Sequence, residues 1–496
     1  MPRFNCDGWL HLAVSPETDV MEISVKHAME HVPYLDIELP EKWKGYIREH
    51  GKGQTPGQIW RHILRVESEG LSARELRLPF RRKAVYYYWQ VASRGEWRLG
   101  DVPIESAKRF LHERGDEFHV CPMDIEAEPG TEVLAFYVTD FIKEWAVHTQ
   151  ELGMDSTWNT NGSNFELFSA VADANGAGIP LAFLFICTRK EAAPGAKQLV
   201  LERFLAGLKK LGVNPEFTLS DKDWSEINAM GAVWDKAKHQ LCFWHALRAV
   251  KKRLSQNQVA PGPYDAEAAN RAFKIIDRDF AQPRNGAGAQ QSRTSHGLPT
   301  YQFCPQAHRV PILRLFAKHA SQHPLLPERH GMKRTSEDIY RDAVTEMYLH
   351  CKANNLPEVW AYLWNSWYCK SRWHLWARSA YATSIPQKRT TMMVEALWRH
   401  LKRLVLYQFN RPPIDLTLYA LITQALPSYR LTLHDIIVES RAGRSAALSP
   451  TQVALKRAWK RLSKVPLKGT YSTNITRWTC DCGAQKYHAY LQSTPS

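Results

Sequence analysis

The first stretch of the chain alternates apolar and polar residues in three short runs, WLHLAV, VMEISV and YLDIEL, separated by turn residues. Period-two alternation of this kind predicts a small β-rich region over residues 1–52. From 53 to 125 the apolar spacing lengthens to that of helices. Thr55-Pro56-Gly57-Gln58 offers a capping acceptor, a proline at the first helical position and a glutamine three residues on. Ser72-Ala73-Arg74-Glu75 repeats the device beyond a turn at Gly70, so residues 55–94 read as helix-turn-helix-like. Between 130 and 255 strands return. TEVLAFYVT and EWAVHTQELGMDST each predict one, and FELFSAVADA with IPLAFLFICT predicts a hairpin about Asn175-Gly176. Helical spacing over 195–211 follows, then the strand PEFTLSD, the helix SEINAMGAVWDKA, and the strand KHQLCFW running into a basic helix.

The stretch 280–300 is rich in Gly, Gln and Ser and reads as a loop. Trp360, Trp364, Trp367, Trp373 and Trp376 crowd a helical segment, and their spacing favours a packed face over a ligand box. Residues 256–385 are accordingly expected to be an all-α insertion. It separates the strands from a helix in 386–425, and a basic helical tail over 426–496 follows. The fold class is α+β: a mixed sheet flanked by helices. Its order of hairpin, crossover helix, strand, helix, strand is that of the RNase H-like fold.

Composition narrows the function. The 496 residues carry a net charge of +15, and Leu401–Ser496 alone holds 14 Lys and Arg against 4 Asp and Glu. Such an excess suits a polyanion, most often a phosphate backbone, though a solubilising surface would also account for it. Arg81, Arg82 and Lys83 lie beside Tyr86, Tyr87, Tyr88 and Trp89, and Lys456, Arg457, Lys460 and Arg461 stud the tail. Both are candidate DNA-contacting groups, and the second would serve equally as a nuclear address. Nine irregularly spaced cysteines and no apolar run of membrane length argue for a reducing compartment, with no disulfide framework and no membrane partner.

Three acids are set for chemistry. Asp155 in MDSTWNTN and Asp221 in LSDKDW each end a strand-like run, and Glu395 in RTTMMVEALW sits on a helix. Neighbouring strands lie about 4.8 Å apart. Carboxylates at two strand ends and on a helix packed across them can therefore share Mg²⁺ or Mn²⁺. Paired ions of this kind clamp the attacking and leaving oxygens of a phosphodiester displacement. On position alone, surface or capping carboxylates fit as well; Asp223 reads best as a helix cap and Asp173 lies in a hairpin approach. Cys242 and His245 form a Cys-x-x-His pair, open to Zn²⁺ or to a buried thiol beside a hydrogen-bonded imidazole. Cys6, His27 and His31 near the start, and Cys480 and Cys482 near the end, are further zinc candidates short of four ligands.

At these residues the chain resembles fungal Mutator-like element (MULE) transposases of the DDE type. MDSTWNTN resembles the first acid block, LSDKDWSEINAMGAVWDKAKHQLCFWHALRAVKKRL the second with its Cys-x-x-His, and RTTMMVEALWRHLKRLVL the third. The resemblance covers residues 130–410. It implies an RNase H-like core with Asp155, Asp221 and Glu395 as catalytic metal ligands. It also implies cut-and-paste transposition on double-stranded DNA at terminal inverted repeats, homo-oligomeric synapsis and nuclear residence. A domesticated or degenerate DNA-binding descendant is the alternative. The segment 1–52 is similar to a WRKY-like zinc module lacking its first cysteine. Cys480 and Cys482 resemble the start of a SWIM zinc finger whose second pair is missing. Both ends are thus expected to be clipped.

Overall fold

A computed structural model of the chain describes residues 8–15, 20–26, 38–72, 74–258, 263–281, 302–326, 334–409, 411–438, 450–462, 464, 471–474 and 479–480. Cys6, His27, His31 and Cys482 lie outside the described residues, as do most of the run YLDIEL and the loop from residue 282 to 300. The chain divides into two compact units, Met1–Glu96 and Trp97–Ser496.

In the first unit, β1 (Trp9–Val14) and β2 (Met21–Lys26) pair antiparallel, with every residue exposed. Helices α1 (Glu41–His50), α2 (Pro56–Glu67) and α3 (Arg82–Trp97) follow. Trp43, Ile47, Ile59, Ile63, Phe80, Val85 and Trp89 are the buried apolar residues of these helices and their connection. The Thr55 capping box forms in full at the start of α2. At Ser72 only its side-chain half survives: the backbone N–H and hydroxyl of Ser72 both bond Glu75, but no helix grows from them. Pro79 disfavours helix in the residue before it, and the second helix begins at Arg82 instead of Ser72.

The second unit opens with α4 (Pro103–Arg114) and is built on a seven-stranded mixed sheet. Its strands are β3 (Val120–Pro122), β4 (Thr131–Val138), β5 (Glu151–Thr157), β6 (Glu166–Ala174), β7 (Ala177–Thr188), β8 (Phe217–Ser220) and β9 (Lys238–Leu241). They lie in the order β3-β4-β7-β6-β5-β8-β9. β5 pairs parallel with β8, and β8 with β9; the other pairings are antiparallel. The five strands from β7 to β9 make the RNase H-like sheet, which β4 and β3 extend at the β7 edge. Asn175 and Gly176 both take positive φ, 52° and 98°, as the tight β6–β7 turn requires.

The strand expected over residues 144–157 is shorter. α5 (Thr139–Trp145) and a tight turn over Ala146–His148 occupy its first half, and extended pairing begins at Glu151. The apolar residues of that half, Trp145 and Ala146, lie at a helix end, which local alternation cannot reveal. α6 (Ala196–Lys210) buries Val200, Leu201, Phe204, Leu205 and Leu208, and α7 (Trp224–Val233) and α8 (Phe243–Ser255) follow their strands.

Between α8 and the third acid the described secondary-structure elements are all helical, among them α9 (Ala266–Ala272), α10 (Gln306–Ser321), α11 (Ser336–Ala353), α12 (Pro357–Leu363) and α13 (Lys370–Trp376). All five tryptophans named above are buried in their shared core, and Phe316 stacks on Trp376 with centroids 4.2 Å apart. Large rings bury much area with few rotamers to fix, so they suit a core that several short helices must share. α14 (Met392–His400) then returns to the sheet and runs into a π-helical turn over Leu401–Val405. α15 (Ile414–Ala420), α16 (Leu426–Ile437) and α17 (Pro450–Leu462) complete the helices. Among the described residues, no helix is long and apolar enough to cross a membrane.

Candidate functional site

The parallel register of β5 and β8 positions the first two acids. Glu151, Leu152 and Gly153 pair with Phe217, Thr218 and Leu219. Asp155 and Asp221 each stand two residues beyond the last of these pairs, so they occupy equivalent places on adjacent strands.

Glu395 reaches this end of the sheet because the segment before α14 is tied down at three places. The Glu151 carboxylate, buried on β5, accepts from the backbone N–H of Gln387 and of Lys388, at 2.5 and 2.8 Å. The Phe243 amide of α8 donates to Arg389 O at 2.7 Å. Thr391, fully buried at the start of α14, lies against Cys242. Two glycines then let α14 seat on the strands. A Cβ on Gly178 would lie 2.8 Å from Met393 Cβ, and one on Gly153 would lie 3.2 Å from Val394 Cγ2.

His245 links the acids. Cys242 caps α8, which puts His245 in its first turn. His245 Nδ1 lies 2.5 Å from Asp221 Oδ1, and Nε2 lies 3.9 Å from Glu395 Oε1. Contact with Asp221, and then with Cys242, raises the imidazole to about 10. Burial pushes the Cys242 thiol up, but hydrogen bonds from His245 and Thr391 outweigh it and leave the thiol below its usual value. Asp155 is held up at about 7, first by burial and then by the charges of Asp221 and Glu395, against the Ser156 amide and His245. One imidazole thus touches Asp221, lies near Glu395 and is within electrostatic reach of Asp155.

The donor set fits a divalent cation. Asp221 Oδ1 and His245 Nδ1 are both buried, and neither makes a hydrogen bond of acceptable geometry despite their closeness. The two atoms face each other as an ion pair shielded from water. Asp221, Cys242 and His245 also form a group whose ligand atoms all lie within 4.8 Å of one another. The Cys-x-x-His pair therefore has a third companion that spacing alone did not supply.

Other expected residues lie elsewhere. Asp223 caps α7, accepting from the Ser225 amide at 2.8 Å, and Asp173 pairs with Lys388 at 2.8 Å. Arg81, Arg82 and Lys83 are exposed in the first unit, where Arg82 stacks over Tyr86 at 4.6 Å. Lys456, Arg457, Lys460 and Arg461 are exposed on α17. Cys480 lies on a two-residue strand pairing with Thr473–Asn474.

Three features were not anticipated. Beside Asp155, Ser156 Oγ donates to Glu166 at 2.6 Å, and Lys197 spans Glu166 and Asp223 at 3.2 and 3.1 Å. Lys402, in the π-helical turn after α14, lies within the electrostatic reach of Asp155. Glu226 of α7 is 2% exposed and feels the charges of Asp155, Asp223 and Asp221. Its place three residues after the cap Asp223 reads in sequence as a capping-box acid, which hides it.

A mixed sheet with carboxylates ending its adjacent parallel strands belongs to the RNase H-like class. Residues 151–249 match the MULE transposase domain family. Among curated proteins it is similar to the mating-type protein ALPHA3 of Kluyveromyces lactis, 22% identical over 530 aligned residues. That alignment covers 98% of this chain and 56% of the relative, so the chain spans little more than half the length of the protein it matches. Among solved structures it is similar to the Drosophila P element transposase strand transfer complex, at 10% identity and a TM-score of 0.27, over 77% of this chain and 92% of that one.

Proposed function

We propose that this chain is a DDE-type transposase that cleaves double-stranded DNA at the terminal inverted repeats of its element and joins the freed ends to target DNA. The observation that carries the reading is the equivalent placement of Asp155 and Asp221 beyond paired parallel strands, with Glu395 brought to the same imidazole. Asp155, Asp221 and Glu395 would hold Mg²⁺ or Mn²⁺, with Zn²⁺ a candidate where Cys242 and His245 join Asp221. A divalent ion bound there would supply charge neutralisation at the scissile phosphate and a lowered pKa for the attacking water or 3′-hydroxyl.

The chain's own residues do the rest. Burial and its acidic neighbours raise the pKa of Asp155, so it is a carboxylate that gains from a cation beside it. His245, cationic through Asp221, is placed to exchange its contact with the acids for one with a phosphate oxygen. Thr391 and Cys242 fix the start of α14 and so the direction of Glu395. Exposed Lys456, Arg457, Lys460 and Arg461, with Arg81, Arg82 and Lys83, would supply phosphate contacts whose affinity falls steeply with salt. Synapsis of two ends by a homo-oligomer and a nuclear location belong to the same reading.

One observation favours a second reading, a domesticated DNA-binding protein without cleavage. His245 already supplies a positive charge to Asp221 at 2.5 Å, so the acids have a counter-ion within the chain. Similarity to a protein named for mating type agrees with that reading. The test is to incubate the purified chain with DNA flanking its locus, with Mg²⁺ or Mn²⁺, beside Asp155→Asn. Metal-dependent nicking lost in the variant supports the enzyme, and no nicking by the intact chain leaves the second reading.

A further inference from the structure

Two glutamates are buried behind the acids, and only one is explained by its neighbours. Glu166, 5% exposed, accepts from Ser156 at 2.6 Å and pairs with Lys197 at 3.2 Å. Glu226, 2% exposed, has an Oε2 that is buried and without a hydrogen-bond partner among the described residues. It is the third residue of α7, the place from which a capping-box acid would reach back to the cap amide. No such reciprocal bond is made among the described residues: Asp223 caps the helix through Ser225 alone. Lys197, the nearby cation, spends its two contacts on Glu166 and Asp223. The charges that bear on Glu226 are Asp155 first, then Asp223, opposed by Lys197, with Asp221 weaker.

A carboxyl buried among carboxylates, with one oxygen unbonded, is a costly arrangement unless a cation completes it. Packing does not require it, since glutamine or methionine would fill the same volume without the charge. We propose that Glu226 is a fourth carboxylate of the divalent-cation centre, holding the ion together with Asp155 and Asp221. This rests on the metal-centre reading above and adds a residue of the second acid block to which the resemblance assigns no role. Oxygen-rich sites with four carboxylates favour hard ions, so the ligand class is Mg²⁺ or Mn²⁺.

The test is Mn²⁺ binding to the purified full-length chain, followed by loss of the free-ion paramagnetic resonance signal. Glu226→Gln, Glu226→Asp and Asp155→Asn are compared with the intact chain, and thermal unfolding of each is recorded without metal. Removal of a supporting ligand is expected to weaken Mn²⁺ binding in Glu226→Gln by roughly tenfold or more. Its metal-free midpoint should be unchanged or raised, because the amide relieves the charge crowding. Glu226→Asp, which keeps the charge on a shorter arm, should fall between and covers the case in which the glutamine variant folds poorly. If Glu226→Gln and Glu226→Asp bind Mn²⁺ as the intact chain does while Asp155→Asn does not, the inference is overturned and the three-acid centre stands. If the intact chain takes up no Mn²⁺, both fall together.

Discussion

Histidines in two parts of the second unit, buried in one and half-buried in the other, are treated in opposite ways. In the helical region, His323 is 1% exposed and every ring nitrogen is used: Nε2 donates to Tyr381 O and Ser384 O at 2.7 and 3.0 Å, and Nδ1 accepts from the Leu325 amide at 3.1 Å. His319, fully buried, bonds Tyr368 at 2.8 Å and Glu346 at 2.9 Å. At the sheet end His245 lies against Asp221 without a proper hydrogen bond, beside a second acid and a thiol. The first arrangement is what polar satisfaction in a core looks like. The second is a partly exposed ion pair beside a further acid and a thiol, a clustering of titratable groups found at functional sites. The same residue type thus serves packing in one place and, on the function proposed above, chemistry in the other.

The largest effect should come at the sheet end. Asp221→Asn is expected to lower metal-dependent nicking on the order of 10³-fold. The same variant removes the partly exposed ion pair with His245, so a stability loss of about 1 kcal/mol should accompany it. A large loss of stability in that variant would move Asp221 to the structural side of the comparison.

Acid titration gives the next largest effect, in the helical region. Burial lowers His323 to about 4 from an ordinary 6.5, and Arg378 adds to the shift. The folded state thus binds this proton more weakly than the unfolded chain. The stability it contributes is present in full above pH 6.5 and is lost as pH falls from 6.5 towards 4. For a group this buried the loss amounts to about 3 kcal/mol. Unfolding midpoints measured across that range should fall, and His323→Gln should flatten the slope. A slope unchanged in the variant would contradict the assignment.

A smaller pair of substitutions tests how α14 is seated. Gly178→Ala places a methyl against Met393 Cβ and Val171 Cγ1, at 2.8 and 3.1 Å, and should cost about 1–3 kcal/mol. It should also depress nicking by shifting Glu395. Gly176→Ala meets nothing within 4 Å but strains a φ of +98°, so about 1 kcal/mol and unchanged nicking are expected. Equal effects of the two on nicking would show that α14 does not depend on that close approach.

What could be seen in the sequence follows from how local each cause is. The β6–β7 hairpin was legible because Asn175-Gly176 is a turn signal in itself. The Asp223 cap and the burial of the five tryptophans were legible for the same reason. Ser72 misled, because its bonds to Glu75 form without a helix when Pro79 follows closely. Residues 144–148 misled, because apolar alternation does not tell a helix end from a strand. The acid blocks could be found from strand-like runs and family resemblance. Their approach could not, since it depends on Gln387, Lys388, Arg389 and Thr391 bonding residues far away in the chain. Glu226 was hidden because a capping box and a buried, unpartnered acid share one sequence pattern.

The central claim is spatial: residues 155, 221 and 395 share one divalent ion. Fe²⁺ substituted for Mg²⁺, with ascorbate and peroxide, generates oxidant at the bound ion and cuts the polypeptide nearest to it. Mapping the fragments should give cuts beside Asp155, Asp221 and Glu395 together, all suppressed by excess Mg²⁺. Cuts confined to one of the three segments, or insensitive to Mg²⁺, would contradict the account.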